Sequence, residues 1–142
     1  MNKLLFVYGT LMKEMANHQF LCNAKFICES ETDAKYLMSA NFIPFVTPEK
    51  YVHDELNRKK LCRIKGELYE VEDYTLKIID QLEGHPTFYK RELKLVNTPD
   101  RGFIDAWIYL NPYTEGTIIP DGDYKSYLKM RKNYSQYVQA NK

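Results

Sequence analysis

The chain opens on a run with no polar break: Leu4, Leu5, Phe6, Val7 and Tyr8 are apolar at every position, and the run stops at Gly9. A half-exposed strand would alternate, so this run predicts a strand covered on both faces and set near the centre of a sheet. Residues 14–21 have room for one or two helical turns, and a mixed strand follows around residues 24–29. Phe42, Ile43, Phe45 and Val46 flank Pro44. Proline donates nothing to a sheet ladder, so this stretch reads as an edge strand or an extended loop. The charged residues 49–60 read as a solvated loop or a short helix.

Residues 64–71 predict a further strand, with Gly66 inside it marking a bulge or a close backbone approach. Asp73 then caps a helix in which Leu76, Ile79 and Leu82 recur every three positions, and Gly84 with Pro86 ends it. Within residues 88–96, Tyr89, Arg91, Leu93 and Leu95 share one parity while Lys90, Glu92 and Lys94 share the other, which points the first set at the core. The turn Thr98-Pro99-Asp100-Arg101-Gly102 leads into residues 103–110, where Ile104, Ala106, Ile108 and Leu110 form an apolar face. These two strands are expected to pair as a hairpin. Residues 111–122 are loop-like, with Pro112 and Pro120, and Asp121 or Asp123 starts a closing helix carrying Tyr124, Tyr127, Leu128 and Met130. About five or six strands, one well-defined helix and two weaker ones, without regular strand–helix alternation, predict an α+β fold.

The length of 142 residues fits a single domain spanning residues 1–142. Twenty Lys and Arg against nineteen Asp and Glu leave a net charge of +1, so no global field recruits nucleic acid or an anionic membrane. Arg58-Lys59-Lys60 and Lys129-Met130-Arg131-Lys132, with tyrosines available for stacking, are too scattered for the concentrated basic footprint of a nucleic-acid binder. No apolar run approaches the roughly 18 residues of a spanning helix, and residues 4–8 are too short for the apolar core of a signal peptide. The expectation is a cytoplasmic protein with neither a membrane nor a nucleic-acid partner. Cys22, Cys28 and Cys62 are odd in number and form no CxxC pair, which favours reduced structural thiols.

HExxH, GxSxG, GxGxxG and the P-loop are all missing from the sequence, and His18, His53 and His85 are widely spaced. Zinc hydrolysis, the familiar serine hydrolases and dinucleotide chemistry lose ground accordingly; a Cys/His nucleophile pair stays open, because such partners need only meet in space. Two segments stand out. Tyr8-Gly9-Thr10-Leu11 follows the most apolar strand, where a glycine lets successive backbone N–H groups turn toward an anionic ligand, although a glycine after a strand is more often just a turn. Glu83 closes the predicted helix, at the end where the macrodipole disfavours a carboxylate; both this and partial burial would raise its pKa toward a range useful for proton transfer. The plainer alternative is an exposed glutamate with Lys90 nearby. Arg91 is open in the same way, between a structural ion pair with Asp80 or Glu83 and a ligand contact.

Taken together, Phe6-Val7-Tyr8-Gly9-Thr10-Leu11, Asn17, Gly66-Glu67-Leu68-Tyr69 and the run from Asp80 through Glu83-Gly84-His85-Pro86 to Tyr89 and Arg91 resemble the gamma-glutamyl cyclotransferase-like family. The likeness is to the branch that includes gamma-glutamylamine cyclotransferase and the avirulence-induced proteins. Pro44, after Phe42 and Ile43, fits an aromatic-proline segment of that family, and the likeness covers roughly residues 4–110. It implies a compact, mixed but mostly antiparallel β-barrel with peripheral helices. It also implies an enzyme, one that lets the α-amine of a gamma-glutamyl amide attack its own side-chain carbonyl, releasing 5-oxoproline and an amine or amino acid. The nucleophile then belongs to the substrate, so no metal or other cofactor is expected. In that scheme Glu83 is the general base and acid, while Tyr8, Gly9, Thr10, Leu11, Tyr89 and Arg91 bind the substrate or support Glu83. The competing class is a binding module without turnover for gamma-glutamyl or other small anionic metabolites. Relatives commonly carry a basic residue and a glycine after the Tyr-Gly-Thr-Leu loop, where this chain has Met12, Lys13 and Glu14, and Cys28-Glu29 replaces another usual glycine. These departures are expected to alter the pocket rim, and with it the identity of the leaving group, more than the chemistry.

Overall fold

The computed structural model describes residues 2–141. In chain order the strands are β1 (Asn2–Val7), β2 (Lys25–Thr32), β3 (Tyr36–Ala40), β4 (Pro44–Pro48), β5 (Lys65–Glu72), β6 (Lys90–Thr98), β7 (Gly102–Leu110) and β8 (Thr117–Ile118). The α-helices are α1 (Glu55–Arg58), α2 (Asp73–Glu83) and α3 (Tyr124–Ala140), and short 3-10 turns occupy His18–Leu21 and Glu49–Tyr51. Five strands close into a barrel in the order β1-β5-β2-β6-β7, and β4-β3-β8 form a separate small sheet. Pairing is antiparallel throughout except where β1 meets β7 in parallel at Leu5 and Trp107. The expected α+β class, a mixed and mostly antiparallel barrel with peripheral helices, is what the chain forms.

Leu5, Phe6 and Val7 are all buried, as their unbroken apolar run requires, because β1 lies between β5 and β7 with side chains packed on both faces. The close approach expected at Gly66 is real: a Cβ there would lie 2.2 Å from the Val7 carbonyl oxygen. Pro44 opens β4, an edge strand, where a missing N–H interrupts no interior ladder. The hydrophobic pattern gives no sign of β3 or β8. All five residues of β3 are buried, including Ser39, so no alternation marks it.

Helix α2 buries Leu76 and Ile79, while Leu82, the third residue of that stripe, is 40% exposed. Its N-cap is Glu72, without a side-chain capping bond, and Asp73 is the first helical residue rather than the cap. Gly84 ends it in the left-handed region (φ 69°), which a glycine enters without steric cost. At α3, Asp123 and not Asp121 is the cap: its carboxylate accepts from the Ser126 N–H at 3.1 Å.

The β6–β7 hairpin forms as expected, and Tyr89 is buried and Lys90 exposed as the parity predicts, but from Leu93 onward the inward parity of β6 is the reverse of the sequence expectation. Leu93 and Leu95 are 51% and 44% exposed, whereas Val96 and Thr98 are buried. The register explains it. Glu92 lies opposite Ile108, and Lys94 opposite Ala106, so the stronger apolar face of β7 claims the core and carries the even-numbered residues of β6 inward with it. Leu93 is then opposite Trp107 on the outer face.

A candidate active site at the end of helix α2

The Tyr8–Leu11 loop leaves β1 and turns beneath Pro44. Gly9 is required there, since a Cβ would come within 2.5 Å of the Pro44 ring. The loop is clamped from several sides. The Met12 N–H donates to the Gly9 carbonyl at 3.0 Å, and Asn17 donates twice to Thr10, from its backbone N–H to the carbonyl (2.8 Å) and from Nδ2 to Oγ1 (2.9 Å). His18 Nδ1 donates to the Leu11 carbonyl at 2.9 Å, and the Glu67 carboxylate accepts from the Lys13 N–H at 2.9 Å. The N–H groups of Gly9, Thr10 and Leu11 themselves donate to nothing among the described residues. Three successive unspent donors in a rigid loop are the elements of an anion-binding nest.

These residues border a cavity of about 160 Å³, and Glu83 lines it together with Tyr8, Tyr89 and Tyr109. Glu83 sits there because Gly84 stops α2 immediately after it and the chain folds back, with the Tyr89 N–H donating to the Glu83 carbonyl at 3.2 Å. Each phenol is committed elsewhere: Tyr8 to the Tyr109 carbonyl (2.6 Å), Tyr89 to the Pro44 carbonyl, and Tyr109 to Asp80 Oδ1 (2.7 Å). The carboxylate of Glu83 therefore has neither an ion pair nor a hydrogen-bond partner among the described residues. Burial alone pushes its pKa from 4.5 up to about 7. The same burial raises the Tyr8, Tyr89 and Tyr109 hydroxyls well above the ordinary tyrosine value, and the nearby Glu83 charge adds to it, so all three stay protonated.

Of the residues singled out in the sequence, Tyr8, Gly9, Thr10, Leu11, Glu83 and Tyr89 all border this one cavity. Arg91 does not. Its Nε donates to Asp80 Oδ1 at 2.8 Å, and its guanidinium lies 4.3 Å from the centre of the Trp107 ring. Of the open alternatives for Arg91, the structure contains the ion pair with Asp80. Met12 and Glu29, two of the positions expected to shape the pocket rim, lie away from the Glu83 cavity and instead line a separate cleft of about 470 Å³ with Lys65, Lys125 and Lys129. The rim of the smaller cavity is made by Ile43, Leu82 and Phe88, which are ordinary apolar residues by sequence. Sequence reasoning also missed Tyr109. Its one signal was an aromatic on the parity of β7 that faces away from the apolar set.

A family model described as gamma-glutamyl cyclotransferase, AIG2-like, matches residues 5–126. A Methanocaldococcus jannaschii protein provisionally named a gamma-glutamylcyclotransferase is 41% identical over 124 residues, covering 87% of this chain and 96% of its own. The crystal structure of an AIG2-like protein from mouse superposes with a TM-score of 0.71 at 23% identity, over 87% of this chain and 88% of that one, a likeness of fold. YkqA from Bacillus subtilis gives a TM-score of 0.72 at 32% identity; 94% of this chain is covered, but only 43% of YkqA. With the Tyr-Gly-Thr-Leu loop and Glu83 brought to one cavity between a barrel of this kind and helix α2, the chain belongs to the gamma-glutamyl cyclotransferase, AIG2-like family.

Proposed function

We propose that this protein cyclises a gamma-glutamyl amide to 5-oxoproline and a free amine, with Glu83 carrying the proton. The observation behind this reading is a half-buried carboxylate without a partner, beside three backbone N–H groups that are not otherwise used. The glutamyl α-ammonium gives a proton to the Glu83 carboxylate, and the neutral amine attacks the γ-carbonyl carbon. A C–N bond forms, and the carbonyl oxygen becomes an oxyanion. As the intermediate collapses, Glu83 gives that proton to the leaving nitrogen and the C–N bond to it breaks; the carboxylate then takes the second proton from the ring nitrogen and passes it on to the released amine, so that neutral 5-oxoproline and an ammonium leave. A group with a pKa of about 7 serves both directions near neutral pH, and such a group typically contributes about 10²–10⁴ in rate. An ordinary glutamic acid near 4.5 would be ionised almost completely and would be a poor donor for the second step.

The N–H groups of Gly9, Thr10 and Leu11 bind the substrate carboxylate or the oxyanion, where one donor is worth about 3 kcal/mol of barrier. Folding the glutamyl chain into its reactive ring geometry supplies the remainder, since the nucleophile and carbonyl belong to the same molecule. The cavity is smaller than the roughly 300–1,000 Å³ of most ligand pockets. It suits the glutamyl half, with the leaving group passing outward over Ile43, Leu82 and Phe88. Tyr89 forms part of the wall, and Arg91 acts at one remove through Asp80.

The test is 5-oxoproline release from a panel of gamma-glutamyl amines, gamma-glutamyl-ε-lysine, gamma-glutamyl amino acids and glutathione, followed by mass spectrometry. Wild type is expected to form product from at least one. Glu83→Gln is expected to bind the same compound, seen as a thermal shift, and to turn over at least about 100-fold more slowly. Binding by wild type without product from any member of the panel would instead identify a non-catalytic module.

A further inference from the structure

The Tyr8–Leu11 loop is held near both of its ends by one side chain. Glu67 stands opposite Val7, the last residue of β1, and its Oε1 accepts from the Lys13 N–H at 2.9 Å, just beyond the loop. The same oxygen accepts from the Tyr69 hydroxyl at 3.0 Å, and Oε2 accepts from the Lys125 ammonium at 3.4 Å. Glu67 is 4% exposed, so these three donors take the place of water around the carboxylate. The ammonium of Lys13 itself lies over the Phe26 ring, 3.3 Å from its centre. Glu29, Glu31, Asp123, Lys65 and Lys129 are the other charged groups of the cleft that Glu67 and Lys125 line, and none of them is bonded to Glu67 among the described residues. Lys125 reaches this point because the start of α3 is fixed to β5. The Lys65 N–H donates to the Gly122 carbonyl at 3.0 Å, and a Cβ on Gly122 would lie 2.3 Å from the Arg63 carbonyl oxygen. Asp123 then caps the helix, and Lys125 falls in its first turn.

A carboxylate in this place sets an electrostatic problem. The free N–H groups of Gly9, Thr10 and Leu11 suit an anion. Lys13 is two residues beyond Leu11, so at about 3.8 Å per residue the Glu67 charge lies within roughly 10 Å of the Leu11 N–H. Left alone, that charge would repel the anion the loop is shaped to hold. We propose that Glu67 is the positioning residue of the Tyr8–Leu11 loop and that Lys125 is its counter-ion: the carboxylate fixes the loop through the Lys13 N–H, and the ammonium from α3 cancels its charge behind the anion site. The inference rests on the reading of those three N–H groups as the place of the substrate carboxylate or the oxyanion. An ionised glutamate accepts from all three donors, whereas a glutamine would set its own NH2 group against the Lys125 ammonium. Helix α3 thereby supports the site although none of its residues lines the Glu83 cavity.

The experiment follows the backbone amide signals of Gly9, Thr10, Leu11 and Lys13 by NMR in wild type, Lys125→Met, Glu67→Gln and the double variant. The probe is 5-oxoproline, which carries a carboxylate, and the control is 2-pyrrolidinone, the same ring without one. In wild type, 5-oxoproline is expected to shift the Gly9, Thr10 and Leu11 signals. Lys125→Met leaves the Glu67 charge uncompensated and is expected to weaken 5-oxoproline binding about two- to tenfold, the effect of one unit charge at that distance. Glu67→Gln keeps an acceptor for the Lys13 N–H but frees the Lys125 charge, and is expected to tighten binding by a similar factor. The double variant is expected to return close to wild type, and 2-pyrrolidinone to treat all four proteins alike. A purely structural ion pair would instead weaken both ligands in both single variants. Exchange of the Lys13 amide with solvent is expected to be slow in wild type and Glu67→Gln, and at least about tenfold faster in Glu67→Leu, which removes the acceptor. Equal affinity of wild type and Lys125→Met for 5-oxoproline, equal losses for both ligands, or loop amides that 5-oxoproline does not shift would each overturn the proposal. A Lys13 amide that exchanges as fast in wild type as in Glu67→Leu would do the same. Should Lys125→Met not fold, Glu67→Gln decides, and binding there that is unchanged or weaker is the contrary result. None of this needs turnover: the expected pattern in a protein that forms no 5-oxoproline would refute the proposed function and leave the Glu67 clamp standing, and 5-oxoproline formed without that pattern would do the reverse.

Discussion

Glu83→Gln is expected to stabilise the protein at alkaline pH while abolishing its activity. The carboxyl is half-buried without a partner, and its pKa rises from 4.5 to about 7. At about 1.4 kcal/mol per pKa unit, the ionised form costs the folded state on the order of 3 kcal/mol. The sign follows from where the proton sits. Below about pH 4.5 the group is neutral in both folded and unfolded chains and costs nothing. Between 4.5 and 7 the unfolded chain ionises first, and stability is progressively lost until the folded carboxyl ionises too. Glutamine keeps the shape and is never charged. The stability difference between Glu83→Gln and wild type should therefore grow between pH 4.5 and 7 and level off above it, at about 3 kcal/mol or roughly 10 °C in Tm. Urea denaturation of both proteins at pH 4, 5, 6, 7 and 8.5 measures it directly. A difference that does not vary with pH, or a wild type more stable at pH 8.5, would mean that the carboxylate has a partner in solution, and the argument for its raised pKa would fail.

Two further substitutions probe the loop. Gly9→Ala places a methyl group within 2.5 Å of the Pro44 ring, so the protein should lose about 1–3 kcal/mol of stability and, because the Tyr8–Leu11 backbone must shift, at least tenfold in kcat/KM; unchanged kinetics would separate the loop from catalysis. Glu14 holds φ at 70°, in the left-handed region where a side chain costs roughly 1–2 kcal/mol. Glu14→Gly should raise the urea midpoint, with a net gain of about 0.5–1 kcal/mol after the greater flexibility of glycine in the unfolded chain is offset; a lower midpoint would contradict the strain.

What could be read from the sequence was what local pattern determines. The unbroken run at residues 4–8 gave β1, the three-residue spacing of Leu76 and Ile79 gave α2, and the turn at Thr98–Gly102 gave the hairpin. Glu83 stood out because an acid at a helix C-terminus breaks a local rule, whereas the glycine after β1 reads by itself as a turn and drew notice through the family resemblance of the motifs taken together. Properties set by pairing were not legible. Leu93 and Leu95 looked like core residues until register with Ile108 and Ala106 turned them outward. Strand β3 is buried throughout and so shows no alternation. The partner of Arg91 depended on which carboxylate of α2 the start of β6 meets, a tertiary fact. The cause of the Glu83 shift also differs in emphasis: both the helix terminus and burial suggested it, and burial is what the structure supplies.

That the substrate attacks itself, with water excluded from the bond-forming step, is the point on which the mechanism turns. It is tested by running the reaction in heavy-oxygen water with the best gamma-glutamyl amide and weighing the products. The expected product is 5-oxoproline without heavy oxygen, in amounts equal to the released amine, from wild type and not from Glu83→Gln. Glutamate carrying one heavy oxygen would show that water is the nucleophile, and would make the Glu83 cavity the site of an amidase instead.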